Sequence, residues 1–385
     1  MTEDRLQRNV RYGPGVITET AQVVAELDGT RVLLVCGSRS FSDSGADRLL
    51  EGLQQRADVR RWSDFAPNTD AADLVRGLAV LAEFRPDVVL GVGGGSAMDM
   101  AKLLCAFAGT ETPDAVHTAV RSGERVELRQ PRLVLAPTTS GSGSEATHFA
   151  VVYIEDTKYS VAGPALRPDA VLLDPELSHS GTPYQRATSG IDAIAQAVES
   201  LWAVGATNTS RREARAGLRL SLPAIERFVH APDDASARAM ALGSHFAGRA
   251  IDTTKTTVAH ALSYGITKGY GISHGHAVAL TLGGFLEVHG AASPAGLRVG
   301  LDSSRHSAAM SHILAAFGAT DAVQARERFV ALCRRIGLTA SLSEAGVPSV
   351  AAARALAAEV NVERLGNNPV AFAPEELEQL LTSVY

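Results

Sequence analysis

Five short runs rich in aliphatic and β-branched residues, RVLLVCG, DVRRWSDF, DVVLGVGGG, RLVLAPTTS and DAVLLDP, are spaced through the chain up to Pro175, and none recurs after Pro183. Between them lie VITETAQVVAEL, GADRLLEGLQQR, DAADLVRGLAVLAEF and AMDMAKLLCAFAG, whose apolar residues recur at helical spacing. Strand–helix alternation of this kind requires a parallel sheet covered on both faces, because parallel neighbours need crossover connections. ATHFAVVYIEDTKYSVAG reads as a hairpin appended to that layer. Beyond Pro183 come Ala/Leu-rich helical segments: YQRATSGIDAIAQAVESLWAV, SRREARAGLRLSLPAIERFV, SARAMALGSHFAGRAIDTT, HAVALTLGGFLEVHG, AMSHILAAFGA, AVQARERFVALCRRIG and APEELEQLLTSV. The Ala-rich run at 350–358 is most simply another helix. The texture changes near residues 180–186, so the expectation is an α/β domain over 1–183 followed by an all-helical domain over 184–385.

A chain of 385 residues has room for two or three such domains. A net charge of −6 without any basic run argues against nucleic acid as a partner. The start, MTEDRLQRNVRY, lacks the apolar core of a signal peptide, and no apolar run approaches the roughly 18 residues of a membrane span. Cys36, Cys105 and Cys333 are odd in number, scattered and set in apolar surroundings. A cytoplasmic protein with reduced thiols, acting on a small molecule and not on a membrane, is the expectation.

Two loops follow strands and are built for ligand contact. GVGGGSAMDMAK, Gly91 to Lys102, opens a helix directly after a strand. Its glycines let backbone approach a pyrophosphate, and helix N-terminal amides favour an anion there. Ser96 can cap that helix, with Asp99 and Lys102 on its first turns. The spacing is not the dinucleotide fingerprint, and a tight turn without ligand is an equal reading of this loop alone. APTTSGSGSEAT, Ala136 to Thr147, is a second loop of small polar residues between strands. A flexible linker is the bland alternative, but two such loops at strand carboxyl ends converge where sheets of this class bind ligands.

A third constellation lies in the helical half. In HALSYGITKGYGISHGH, His260 to His276, histidines bracket a Gly-rich turn, while GIDAIAQAVES places Asp192 and Gln196 one helical turn apart on one face. Imidazole and carboxylate are ligands for first-row divalent cations. Asp192, His260 and His274 make three ordinary ligands and Gln196 an unusual fourth. Satisfied core histidines are the competing reading.

Together these segments resemble the iron-containing (group III) alcohol dehydrogenases over essentially the whole chain. GGGSAMDMAK is similar to that family's GGGSxxDxAK, PTTSGSGSEAT to PTTxGTGSE, TSGIDAIAQAVES to TGxDALxHAxE, and His260 to Gly275 to GxxHxxAHxxGxxxxxPHG. NNPVAF resembles its NPR-type segment. The resemblance implies a nucleotide-binding α/β domain, an all-helical metal-binding domain and an active cleft between them. It implies NAD(P) over Gly93, Gly94, Gly95 and Ser96, with Asp99, Thr138, Thr139, Ser142 and Lys158 nearby, and a divalent metal, Fe or Zn, on Asp192, Gln196, His260 and His274. It also implies a homodimer or larger homo-oligomer.

The departures from the family pattern carry information. Gln196 stands where the family has a histidine ligand, Tyr264 where it has a second histidine linked to proton relay, Thr257 for a glycine, and Ser273 for a proline. Where NAD-selective members carry an Asp after the second strand signal, this chain has Gly37. Ser38, Arg39 and Ser40 beside it suit a 2′-phosphate, so NADPH is expected over NADH. KTTVAHALSYGITKGYGISHGHAVALTL resembles a subgroup that includes phosphonoacetaldehyde reductases. Tyr264 as proton donor and Lys255 as cation for a phosphonate are the catalytic expectations; packing and a solvated amine are their alternatives. His148 stands where that subgroup would have a longer amide, so another alcohol, including a peptide terminal hydroxyl, stays open. SHGHAVAL also resembles the HGEAVA segment of dehydroquinate synthase-like cyclases, which share the fold, and a non-catalytic binding protein is the third reading.

Overall fold

A computed structural model of the chain describes residues 9–110, 112–123, 126, 131–155, 157–360 and 362–385. The first eight residues, which hold most of the charged start, lie outside them. The chain forms two compact units, Met1–Gly181 and Thr182–Tyr385.

The first unit contains strands β1 (Val10–Tyr12), β2 (Arg31–Cys36), β3 (Asp58–Trp62), β4 (Val88–Gly93), β5 (Arg132–Pro137), β6 (Phe149–Ile154), β7 (Thr157–Ala162) and β8 (Ala170–Leu173). Its helices are α1 (Thr20–Glu26), α2 (Ser40–Asp43), α3 (Leu49–Gln54), α4 (Ala71–Phe84), α5 (Gly95–Ala106) and α6 (Pro113–Ser122). Six strands form one parallel sheet in the order β1-β8-β5-β4-β2-β3, and β6 and β7 form the separate antiparallel hairpin. Successive strand residues point to opposite faces, and both faces are covered. Leu33, Val35, Val89, Leu133 and Leu135 pack with α4 and α5 residues such as Leu74 and Met98. Val32, Leu34, Val88, Leu90 and Val134 pack with Val23, Val24, Leu49 and Leu53 on the other side. Two-sided burial is why these strands read as continuous apolar runs.

In the first unit β1, α2 and α6 escaped the sequence reading; α2 has four residues, too few to show a period. β1 has three residues, too few to show a period, and pairs at the sheet edge through Val10↔Val171. α6 carried its signals openly: Thr112 accepts from the Ala115 amide (3.2 Å), Pro113 starts the helix, and Gly123 ends it at φ +63°.

The second unit is helical: α7 (Pro183–Trp202), α8 (Asn208–His230), α9 (Asp234–Thr254), α10 (Val258–Tyr270), α11 (His274–Ala291), α12 (Ser303–Phe317), α13 (Ala322–Arg335), α14 (Val350–Ala355), α15 (Val362–Gly366) and α16 (Pro374–Ser383). α7 begins with a capping box between Thr182 and Gln185 and with Pro183 in its first turn. It is then buried on nearly all sides, from Ala187 to Trp202. The Gly-rich stretch after His260 is not a turn but helix, and only Gly271, Ile272 and Ser273 separate α10 from α11. Packing overrides low glycine propensity there. A Cβ on Gly265 would lie 2.8 Å from Glu359 Oε2 and 3.1 Å from Leu356 Cδ2, so the missing side chain is what admits these neighbours. Among the described residues no helix is long and apolar enough to cross a membrane.

Candidate active site

The sheet order reverses at β2: its chain successor β3 lies on one side and β4 on the other. Loops leaving neighbouring strands in opposite directions open a crevice at the carboxyl ends, the usual ligand position in such sheets. Cys36 is in register with Val92 and Gly93 with Pro137, so Gly37, the Gly93–Ser96 loop and Thr138 all leave the sheet at one edge. Thr138 donates its amide to Gly93 O (2.9 Å). Gly93 has φ +154°, and a Cβ there would meet Ala97 Cβ at 2.7 Å. This tight turn starts α5 at Gly95 with Gly94 as its N-cap, so Ser96 lies inside the helix and does not cap it. The Ser96 hydroxyl instead accepts from the Asn68 amide (3.1 Å). Gly94 and Gly95 face the second loop, 3.4 Å from Thr139 Oγ1 and 3.1 Å from Ser142 Cβ when a Cβ is placed on each.

Asp99 and Lys102 tie that second loop to α5. Asp99 accepts from Ser144 Oγ (2.5 Å) and the Val151 amide (2.9 Å). Its desolvation nevertheless pushes the carboxyl up against the opposing pull of Lys102 and both donors. The fully buried Lys102 ammonium donates to Thr147 O, Thr147 Oγ1 and Phe149 O, each at 2.9 Å. Both Asp99 oxygens are thus engaged in shaping the loop. Lys158 lies on β7, 6.0 Å over the Tyr153 ring, and its charge also acts on Asp99. Around Gly37 the structure adds a residue that the sequence reading passed over. Arg61 of β3 donates to Gly37 O (3.0 Å) and Ser38 O (2.7 Å) and stacks 5.0 Å over Phe41. Arg39 is exposed next to it.

In the helical unit, Asp192, His260 and His274 come together, with one ligand atom from each within 4.8 Å of the others. Asp192 Oδ1 lies 3.2 Å from His260 Nε2 and 4.0 Å from His274 Nε2. Three elements supply them: α7, the first turn of α10 and the first residue of α11. Gly275 makes the approach of α11 possible, since a Cβ there would lie 1.9 Å from Thr188 O and 2.9 Å from Asp192 Cβ. Gln196 donates Nε2 to Asp192 Oδ2 (3.1 Å), which orients the carboxylate; presenting Gln196 Oε1 to the same point requires the amide to turn over.

The far nitrogens of both histidines are engaged. His260 Nδ1 bonds Glu199 Oε2, whose other oxygen accepts from Thr257 Oγ1 (2.7 Å) and the Ala259 amide (3.0 Å). Ser263 Oγ donates to His260 O (2.8 Å) and meets His274 Nδ1 (3.2 Å). With its proton directed to His260 O, Ser263 accepts from His274 Nδ1–H. With a cation in place each Nε2 would present its lone pair on the Asp192 side, the tautomer that metal-binding imidazoles take. Two imidazoles and a carboxylate, each with its outer atoms held, fit a divalent cation of the Fe or Zn type. Burial opposes charge on His260, but the Glu199 and Asp192 carboxylates outweigh it and push the imidazole up to about 10. A cation entering this set displaces that proton.

Glu199 is fully buried and was missed as a site residue, although Asp192, Gln196 and Glu199 stand at i, i+4 and i+7 on α7. The helix period carried that signal. Thr257 makes a second buried contact besides the one to Glu199, accepting from Trp202 Nε1 (2.9 Å). Tyr264, one turn after His260, stacks on His274 with centroids 6.1 Å apart and planes at 19°. His276, two residues past His274, points elsewhere and engages Tyr184 Oη (3.2 Å) and Thr339 O (3.0 Å).

Comparison with known proteins assigns both units to one family. Residues 7–175 match the family model for iron-containing alcohol dehydrogenase, and residues 186–385 match the C-terminal model of the same family. A phosphonoacetaldehyde reductase of Streptomyces viridochromogenes is 35% identical over 95% of this chain and 94% of its own length. A long-chain-alcohol dehydrogenase of Geobacillus thermodenitrificans is 32% identical over 70% of this chain and 69% of its own. Among solved structures, a sulfoacetaldehyde reductase from Bifidobacterium kashiwanohense in complex with NAD+ superposes with a TM-score of 0.86 at 25% identity, covering 98% of this chain and 96% of that one. The chain therefore belongs to the iron-containing alcohol dehydrogenase family and is an NAD(P)-dependent oxidoreductase that interconverts an alcohol and its carbonyl partner.

Proposed function

We propose that the protein reduces a small anionic aldehyde with NADPH, and that the aldehyde is phosphonoacetaldehyde, giving 2-hydroxyethylphosphonate in natural-product biosynthesis. The observation that carries this is the 35% identity to a phosphonoacetaldehyde reductase over 95% of the chain. The similarity to a sulfoacetaldehyde reductase supports it, since that substrate is again a two-carbon aldehyde with a strong anion.

In this reading Asp192, His260 and His274 hold the metal and Gln196 fixes the Asp192 carboxylate. The Gly93–Gly95 turn, Ser96, Thr138, Thr139, Ser142 and Lys158 receive the dinucleotide, with Asp99 and Lys102 bracing its loop. When bound, the metal supplies Lewis acidity to a carbonyl oxygen and the nicotinamide supplies hydride. Tyr264, held by its stacking on His274, hands a proton from Oη to the product oxygen. Lys255 provides the cation for the phosphonate.

The test is an absorbance assay of NADPH oxidation over a panel of aldehydes, including phosphonoacetaldehyde, with Fe, Zn, Mn or no added metal. Metal-dependent turnover with the highest kcat/KM on phosphonoacetaldehyde is expected. A neutral aldehyde at the head of the panel removes the substrate assignment.

The NADPH preference rests on Gly37, Ser38 and Arg39, to which the structure adds the guanidinium of Arg61 against the same loop. Gly37→Asp puts a carboxylate where a 2′-phosphate would lie. Its Cβ would clash with Ser40 Oγ, the end of a side chain that must turn aside, and lie in ordinary contact with Ser40 Cβ (3.5 Å), so the fold should accept it. The ratio of kcat/KM for NADPH over NADH should fall by about 10-fold or more, since like charges placed together cost that much or more. An unchanged ratio takes Gly37 out of the argument.

A further inference from the structure

Lys255 ends α9 with φ +58° and ψ −177°. That combination belongs to glycine, and a residue with a side chain keeps it only where its surroundings over-determine it. Arg85, also at positive φ, shows the contrast: at φ +50° and ψ +61° it sits in the ordinary left-handed well that other residues visit.

One side chain distant in sequence holds the backbone on both sides of Lys255. Asn367 Nδ2 donates to Thr254 O (2.7 Å) and to Thr256 O (3.0 Å), the carbonyls on either side of Lys255. Asn367 is itself held, because its Oδ1 accepts from the Gly205 amide (3.1 Å) and its carbonyl from the Val204 amide (3.0 Å). From within the turn, Thr254 Oγ1 donates to Lys255 O (2.7 Å), and the Lys255 amide donates to Ile251 O (2.8 Å). Two residues further on, Thr257 binds Glu199, the carboxylate behind His260. The strained residue thus sits in the connection that enters the helix bearing His260 and Tyr264. A glycine would make this turn without strain. A lysine there, with an asparagine pinning both flanking carbonyls, is what a protein needs when the side chain is wanted at that point.

We infer that Asn367 is a positioning residue that locks the Lys255 backbone in its strained conformation, and that Lys255, so held, is the determinant of selectivity for aldehydes bearing an anionic group. The inference rests on the anionic-substrate reading given above and adds the device that sets it.

Steady-state kinetics with phosphonoacetaldehyde and with acetaldehyde, which shares the reacting carbonyl but lacks the anion, test it in the holoenzyme. Lys255→Ala should lower the kcat/KM ratio of the charged over the neutral aldehyde by about 10–100-fold, the range of a charge-assisted hydrogen bond. Asn367→Ala should lower the same ratio by about 10-fold, through KM for the charged aldehyde with kcat retained. Added to Lys255→Ala, it should change the ratio no further, because residues acting as one unit are not additive. Lys255→Gly should lose selectivity as Lys255→Ala does, yet melt about 2–4 °C higher than Lys255→Ala, since only glycine relieves the backbone.

A loss in Asn367→Ala that is equal for both aldehydes, or that persists unchanged in the Lys255→Ala background, overturns the positioning role. A Lys255→Gly variant that melts no higher than Lys255→Ala overturns the strain. Wild-type enzyme without preference for the charged aldehyde overturns the substrate reading and the role of the ammonium with it. The melting comparison uses no substrate, so a failure of the lock is separable from a failure of that reading. The two Lys255 variants keep the test open should Asn367→Ala not fold.

Discussion

Asp192→Ala is expected to leave the protein without stoichiometric metal and to lower NAD(P)H-linked turnover by about 1000-fold or more. Asp192 Oδ1 is the point on which His260 Nε2 and His274 Nε2 converge, at 3.2 and 4.0 Å, and it is the anionic member of the set. Without it only the two imidazoles remain, and they lack the anionic ligand that makes a divalent cation stay. A Lewis acid at a carbonyl contributes several kcal/mol of transition-state stabilisation, which corresponds to roughly that loss in rate. The substitution removes a small buried side chain from a helix that is otherwise packed by Ile191, Ile194 and Val198, so the fold should persist. His274→Ala should behave alike, because Ser263 orients its ring from the far side and has no other ligand to offer in its place. The measurement is elemental analysis of the purified variants beside absorbance kinetics on wild type and variant at matched metal. Stoichiometric metal retained in either variant would sink the assignment of this triad.

The parts of the fold that were legible in the sequence are those where one force dominates. Four buried strands, β2, β4, β5 and β8, read as apolar runs because both faces of the sheet are covered, and the hairpin was visible from its alternation. The three residues that converge were legible because their chemistry is specific and Asp192 sits on a strongly periodic helix. What stayed hidden depends on neighbours distant in sequence. The glycines of α10 read as a turn because nothing local says that Glu359 and Leu356 press on Gly265. Arg61 is an unremarked strand arginine until the sheet places it against Gly37 and Ser38. The strain at Lys255 and its clamp by Asn367 lie in backbone angles and a long-range contact that composition and period do not encode. Glu199 differs from these, because the seven-residue step from Asp192 announced the shared face. Its chemistry hid it: attention to residue types that bind metal directly passes over the group that holds one of them.

That group supplies the second large effect. Glu199→Gln should weaken metal affinity by about 10–100-fold and depress turnover with it, the usual result when the partner behind a ligating histidine is altered. The reason is geometric. Glu199 Oε1 accepts two donors, Thr257 Oγ1–H and Ala259 N–H, while Oε2 accepts the His260 Nδ1 proton, so the carboxylate works as an acceptor at all three contacts. An amide cannot do so. With its oxygen towards Thr257 and Ala259, its NH2 faces His260 Nδ1 and drives the imidazole proton to Nε2, the atom that must carry the lone pair. With the amide reversed, the NH2 meets the Ala259 N–H and leaves that buried donor without an acceptor, at a cost of about 1–3 kcal/mol. Neither orientation keeps both the tautomer and the fold of the α10 start. Chelator-competition titrations on wild type and Glu199→Gln measure the affinity, and the melting temperatures of the two metal-free proteins separate loss of fold from loss of ligand orientation. Thr257→Val supplies the intermediate case: it removes one donor to Oε1 but keeps the carboxylate on His260, so its metal affinity should fall between the two. If Glu199→Gln binds metal as tightly as wild type while Thr257→Val binds it less tightly, the carboxylate is packing for Thr257 and not the orienter of His260.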